Sequence, residues 1–177
     1  MKKFVLAAAL AFASSAAFAF HCPADMKKID AALAKNPKLS AQQAADVKKA
    51  LSGYFGLVSY LDENIGKVLA ALRDTGMAED TVLMYTSDHG DNIGARGIWG
   101  KSTHYDDAVG VPMIVAGPGV PPGIVCRTPV SLVDLAPTIT HAVGEHPTAW
   151  AEGLPGRSLL DIGCAPDDPE RTVFSEY

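Results

Sequence analysis

The chain has 177 residues, of which 48% are hydrophobic and 20% charged, and its formal net charge is -5. That length suits one modest globular domain and excludes two large ones. The acidic balance gives no electrostatic case for nucleic acid, which calls for a basic face. Anionic small molecules stay open, because one local cation outweighs a mild global charge.

In chain order, Lys2 and Lys3 precede an apolar run over residues 4–18, and Ala17-Phe18-Ala19 supplies a small-x-small cleavage pattern. This reads as a secretory signal peptide over residues 1–19, with mature protein starting near Phe20 in a bacterial periplasm or medium. No later stretch approaches the roughly 20 apolar residues of a spanning helix, so no membrane association is expected after cleavage. Cys22, Cys126 and Cys164 are too few for a disulfide scaffold and lack zinc-site spacing. A Cys126 to Cys164 bond in an oxidising compartment, with Cys22 left odd, stays open beside free thiols.

Residues 20–46 form a polar helical segment without catalytic spacing. Residues 25–35 are rich in alanine and lysine, Asn36-Pro37 stops that helix, and Ser40 with Gln43 is a capping-box pattern restarting one into residues 41–50. From there Tyr54, Leu57, Val58, Leu61, Ile65, Val68 and Leu72 recur mostly three or four residues apart. This predicts a helix whose apolar stripe enters the core and which stops near Thr75-Gly76. One unbroken helix over residues 41–75 would reach about 52 Å, so a break at Ser52-Gly53 is expected.

Strands are predicted over residues 81–87, 111–116, 128–133 and 172–176. A helix is expected from Asp134 as N-cap to Val143, with Pro137 in its first turn. Long helix alternating with nearly continuous apolar strands predicts an α/β layer fold, its largely parallel sheet flanked by helices.

Functional chemistry centres on Ser87-Asp88-His89-Gly90-Asp91, where a buried strand delivers two potential metal ligands to a glycine turn at its carboxyl end. On residues alone, two readings of Asp88 remain open: a cation site shared with His89, or an Asx-type turn with His89 merely at the surface. Lys101 follows thirteen residues after Asp88, across a loop holding Gly94, Gly97 and Gly100. If that loop folds back, its ammonium meets an oxyanion beside the cation; otherwise it is an ordinary exposed lysine.

Taken together, five stretches resemble the sulfatases of the alkaline phosphatase superfamily, most closely bacterial arylsulfatase and choline-sulfatase-like members. They are residues 57–66, Ser87-Asp88-His89-Gly90-Asp91, Gly97-Ile98-Trp99-Gly100-Lys101-Ser102-Thr103, Val111-Pro112 and Val133-Asp134-Leu135-Ala136-Pro137-Thr138. Gly156-Arg157-Ser158-Leu159-Leu160 and Phe174-Ser175-Glu176-Tyr177 extend the likeness, which covers residues 47–177 as a partial, alkaline-phosphatase-like α/β domain. The resemblance implies that Asp88 and His89 are the second pair of ligands to a divalent cation, commonly Ca2+, with Mg2+ or Mn2+ as alternatives. It also implies that Lys101 contacts the sulfate group of a small sulfate ester, phosphate and phosphonate esters being the related substrates. His104 falls at a variable position that either touches substrate or sits on the rim. Gly110 stands where many members carry arginine.

The family's formylglycine comes from a Cys-x-Pro/Ala-x-Arg motif, and a first aspartate pair completes its metal site. Neither is found here: Cys22-Pro23-Ala24-Asp25-Met26 has methionine where arginine belongs. The expectation is a sulfuric ester hydrolase segment, divalent-metal-dependent by kinship, with little or no turnover alone. The alternative is a non-catalytic periplasmic metal- or anion-binding protein on a sulfatase-derived fold. An incomplete sheet would leave an edge exposed, so self-association is also expected.

Overall fold

The structure, a computed structural model, describes residues 39–144 and 155–175. The expected leader over residues 1–19, the first helix over residues 25–35, Cys22 and the last residue, 176, of the expected strand 172–176 lie outside these.

The first described element is helix α1, Ala41–Asp74. Ser40 opens it as predicted: its hydroxyl accepts the Gln43 amide at 3.2 Å while the Gln43 side chain accepts the Ser40 amide at 2.9 Å. The helix ends on Thr75, and Gly76 takes φ +71°. The Gly76 amide donates to Arg73 O at 2.9 Å and the Met77 amide to Leu72 O at 3.2 Å. This doubled closure satisfies carbonyls that a helix end otherwise leaves open.

Two expectations for this helix need correction. There is no break at Ser52-Gly53: Ser52 Oγ donates to Lys48 O at 2.7 Å, a bond within the helix that leaves its ladder continuous. Nor is the whole apolar stripe core, since only Ile65 and Leu72 are buried while Leu57 and Leu61 are 69% and 48% exposed.

Strand β1, Leu83–Thr86, follows a short 3-10 turn at Ala78–Asp80. It pairs with β2, Met113–Ala116, in the register Leu83 to Ala116 through Thr86 to Met113. Thr81, Val82, Leu83 and Met84 are buried, so the apolar run does enter the interior. Gly117, at φ +126°, ends β2 against the Thr81 carbonyl, where an added Cβ would lie 2.4 Å from that oxygen.

The sheet corrects the predicted one. Among the described residues it has two strands, and they are antiparallel. The physical reason lies in the connection: residues 91–100 double back, and the one-turn helix α2, Asp106–Val109, is tied by Ala108 O to the Gly90 amide at 2.7 Å. The chain therefore enters β2 at the end where β1 finishes, whereas a parallel partner requires a crossover to the opposite end.

Residues 128–133 are not a strand. Pro129 has no amide to give a ladder, and its carbonyl is taken by Arg171 Nη1 at 2.6 Å, while Thr128 Oγ1 accepts the Asp168 amide at 2.8 Å. Residues 172–175 likewise form no strand.

Helix α3, Leu135–Ala142, contains Pro137 in its first turn as expected. Asp134 precedes it but does not cap it with its side chain. Its carboxylate turns back to the Ser131 amide at 2.9 Å, takes the Arg157 amide at 2.8 Å, and receives Arg171 through two bonds of 2.9 and 2.7 Å. Thr138 Oγ1 donates to Asp134 O at 2.6 Å and accepts the Leu159 amide at 2.8 Å, fixing the start of helix α4, Leu159–Cys164. No helix of the described residues is long and apolar enough to cross a membrane.

Candidate metal and oxyanion site

Asp88 and His89 leave the carboxyl end of β1, where Ser87 Oγ donates to His89 O at 2.8 Å and tightens the turn. The side chain of Asp88 is 81% exposed and that of His89 38%. Asp88 Oδ1 accepts its neighbour's amide at 3.0 Å. His89 Nδ1 lies 2.8 Å from Gly90 O, and because a carbonyl can only accept, that nitrogen is the donor. Nε2 faces Asp88 Oδ2 at 3.4 Å, as a donor when the ring is protonated and as a second acceptor when it is neutral. Two acceptors facing each other at that separation repel unless a proton or a cation lies between or beside them.

Gly90 is fixed by space. A Cβ there would fall 2.1 Å from Asp107 O, so the turn can approach α2 this closely only without a side chain. The Asx turn lies one motif position further on: Asp91 Oδ1 accepts the Ile93 amide at 2.8 Å and the Gly100 amide at 3.2 Å.

Asn92, 2% exposed, completes the loop closure. Its amide and Nδ2 both donate to Gly100 O, at 2.9 and 2.6 Å, and Nδ2 also reaches Thr103 Oγ1 at 3.2 Å. Neither Asp91 nor Asn92 was singled out as a site residue by sequence. The available signal was a pair of short polar side chains next to glycines, the chemistry of local turn closure.

This clamp folds the glycine loop back and places Lys101 immediately after Gly100, exposed. Burial acts to raise the Asp88 carboxyl, but the His89 amide bond and the charges of His89 and Lys101 outweigh it, holding the group below its ordinary value. His104 lies exposed three residues further along the same loop.

Arg96 is a second feature that sequence reasoning missed. It adopts φ +57°, pairs with Asp107 Oδ2, and its guanidinium lies 4.1 Å from the centre of the Tyr105 ring. Asp107 works against burial to hold the guanidinium pKa above its usual value: its hydrogen bond is the leading influence, ahead of desolvation. Nothing in the spacing of Arg96, Tyr105 and Asp107 announces this contact, which depends on the loop path.

The donor set fits a divalent cation as two ligands, one carboxylate oxygen and one imidazole nitrogen. Ca2+ takes six to eight. Among the described residues no group of three or more His, Cys, Asp or Glu side chains could hold a metal ion. A cavity of about 730 Å³ lies elsewhere, between β2, the loop after it and α4, with a mainly apolar lining that excludes Asp88, His89 and Lys101.

The sulfatase family model matches residues 14–145, and the chain belongs to the sulfatase family of hydrolases, within the alkaline phosphatase superfamily, carrying part of its catalytic domain. It is 38% identical over 112 residues to a choline-sulfatase of Rhizobium meliloti, covering 62% of this chain and 22% of that protein. With arylsulfatase K of Danio rerio it shares 36% over 135 residues, covering 75% and 26% respectively. The chain thus spans about a quarter of the length of these relatives. Among solved structures it resembles a phosphonate monoester hydrolase from Silicibacter pomeroyi, with 39% identity, a TM-score of 0.64, and coverage of 75% of this chain and 26% of that one. The local architecture is accordingly that of a sulfatase and phosphonate hydrolase fold, although the described residues are mostly helical with a small sheet. The family generally uses a divalent metal, commonly Ca2+.

Proposed function

We propose that this chain carries one side of a sulfuric ester hydrolase site: Asp88 and His89 hold a divalent cation, Ca2+ before Mg2+ or Mn2+, and Lys101 contacts an oxygen of the bound sulfate. The observation that carries this reading is the approach of His89 Nε2 to Asp88 Oδ2 at 3.4 Å. When bound, the cation neutralises nonbridging oxygens and charge developing on the leaving oxygen. The residues divide the remaining work. Gly90 O holds the His89 ring through Nδ1 so that Nε2 stays available, and the Asp91 and Asn92 clamp presents the Lys101 ammonium from the loop. His104 stands at the rim of the substrate approach. The choline-sulfatase relative supports a sulfate ester as substrate class, and the phosphonate monoester hydrolase keeps phosphate and phosphonate esters as the neighbouring class.

Two donors are few for tight binding, so the 177-residue chain should bind Ca2+ with a dissociation constant of about 0.1–1 mM and turn over little ester alone. Calorimetric titration with Ca2+ of wild type and Asp88→Ala tests the first part. Loss of the heat in the variant supports the site, and equal heats overturn it. Ester release above that of Lys101→Ala would overturn the low-turnover reading, and an unchanged affinity for sulfate in that variant would remove the role of Lys101.

The domain and export readings join this proposal: a leader over residues 1–19, a helical segment over 20–46 and the sulfatase-like part over 47–177, in a periplasmic or secreted protein. Amino-terminal sequencing of exported protein should begin near Phe20.

A further inference from the structure

Outside the candidate site, two features meet at the apolar cavity. Cys126, on the loop after β2, and Cys164, the last residue of α4, both line it, and both are free and exposed. They are 38 residues apart in the chain. Their neighbourhoods are nevertheless held together: the Arg127 amide donates to Asp167 Oδ1 at 2.8 Å, the Asp168 amide to Thr128 Oγ1 at 2.8 Å, and Arg171 Nη1 to Pro129 O at 2.6 Å. The strip just after Cys126 therefore runs beside the strip just after Cys164, in the same direction. Between the β2 end and this seam, Ile124 and Val125 stand 55% and 80% exposed.

The geometry points to a redox-sensitive staple at this rim: Cys126 and Cys164 form a disulfide with each other when the protein meets a low-molecular-weight disulfide such as oxidised glutathione. The thiolate of one cysteine attacks a sulfur of the oxidant, breaking its S–S bond and expelling one glutathione thiolate. The second cysteine then attacks the protein sulfur of that mixed disulfide and expels the other. The protein loses two electrons and two protons, and one oxidised glutathione becomes two reduced ones. The pairing is favoured over two separate mixed disulfides because both thiols line one cavity and the strips that follow them are hydrogen-bonded to each other, which raises the effective concentration of the second thiol. The bond joins the loop after β2 to α4 and closes one side of the apolar cavity. It uses no residue of the Asp88 site, so it stands apart from the hydrolase reading.

The test is non-reducing peptide mapping of the full chain after equilibration with oxidised glutathione, with Cys22→Ser run in parallel to remove a competing thiol. Expected are a linked peptide joining Cys126 to Cys164, two glutathiones released per bond, reversal by dithiothreitol, and a melting temperature raised by about 5 °C or more. In Cys126→Ser and Cys164→Ser, each made in the Cys22→Ser background, the remaining thiol should retain one glutathione, because its resolving partner is gone. Stable glutathione adducts on both cysteines of Cys22→Ser, or two thiols still free there, would overturn the pairing. So would retention of no glutathione by either double variant.

Discussion

At the scale of single residues, the strongest organising group is Asp134. Its side chain is fully buried and the Arg171 side chain only 13% exposed. Burial tends to raise the Asp134 carboxyl, yet the Arg171 hydrogen bond and the Ser131 and Arg157 amides prevail and hold it below the ordinary value. A carboxyl depressed in the folded state contributes stability above its unfolded value of about 3.9, and that contribution is lost as pH falls through the folded value. Wild type should therefore lose thermal stability steeply below about pH 4, while Asp134→Asn shows a weaker acid dependence in the same circular-dichroism melts. At neutral pH that variant should be less stable by about 3 kcal/mol, because it leaves a mostly buried guanidinium without its partner. Gly90→Ala places a methyl against Asp107 O and should cost about 1–3 kcal/mol in urea unfolding, with weaker Ca2+ binding as the turn moves off α2. The Asp88-His89 pair was legible in the sequence because both residues sit where a strand ends. The Asp134 to Arg171 pair was not, because 37 residues separate its partners and only the chain path brings them together.

Elements repeat this division between local and distant causes. The Ser40 and Gln43 box and the Gly76 stop are hydrogen-bonding problems solved within a few residues, and sequence reveals both ends of α1. Which way β2 pairs with β1 is decided by a loop whose closure rests on buried Asn92 and on left-handed backbone at Ile93, φ +47°, and Arg96, φ +57°. A β-branched residue rarely adopts that region, and no propensity rule places one there. Helix α3 depends similarly on Thr138, whose hydroxyl both donates to Asp134 O and accepts the Leu159 amide. Thr138→Val keeps the shape and removes both bonds, so it should lower unfolding free energy by about 1–3 kcal/mol and loosen α4. A change below about 0.5 kcal/mol in chemical denaturation would mean that the bonds to Asp134 and Leu159 contribute little.

For the whole molecule, the long helix α1 presents much apolar surface. Leu57, Tyr60 and Leu61 lie on one stripe of α1 and are 69%, 64% and 48% exposed. Contiguous apolar surface of this kind drives association. Sedimentation equilibrium should show apparent mass rising with concentration, and Leu57→Gln with Leu61→Gln should reduce the rise; a monomer throughout would exclude the stripe as a contact. The same helix carries a kinetic consequence. Both buried residues of α1, Ile65 and Leu72, lie in its C-terminal half, and the doubled closure at Gly76 secures that end. Opening of the N-terminal half sacrifices little packing, so its amides should exchange with deuterium by local fraying, while those near Leu72 wait for cooperative unfolding. One continuous helix would then behave as two units in time, with a border between Leu61 and Ile65 that its backbone geometry does not mark.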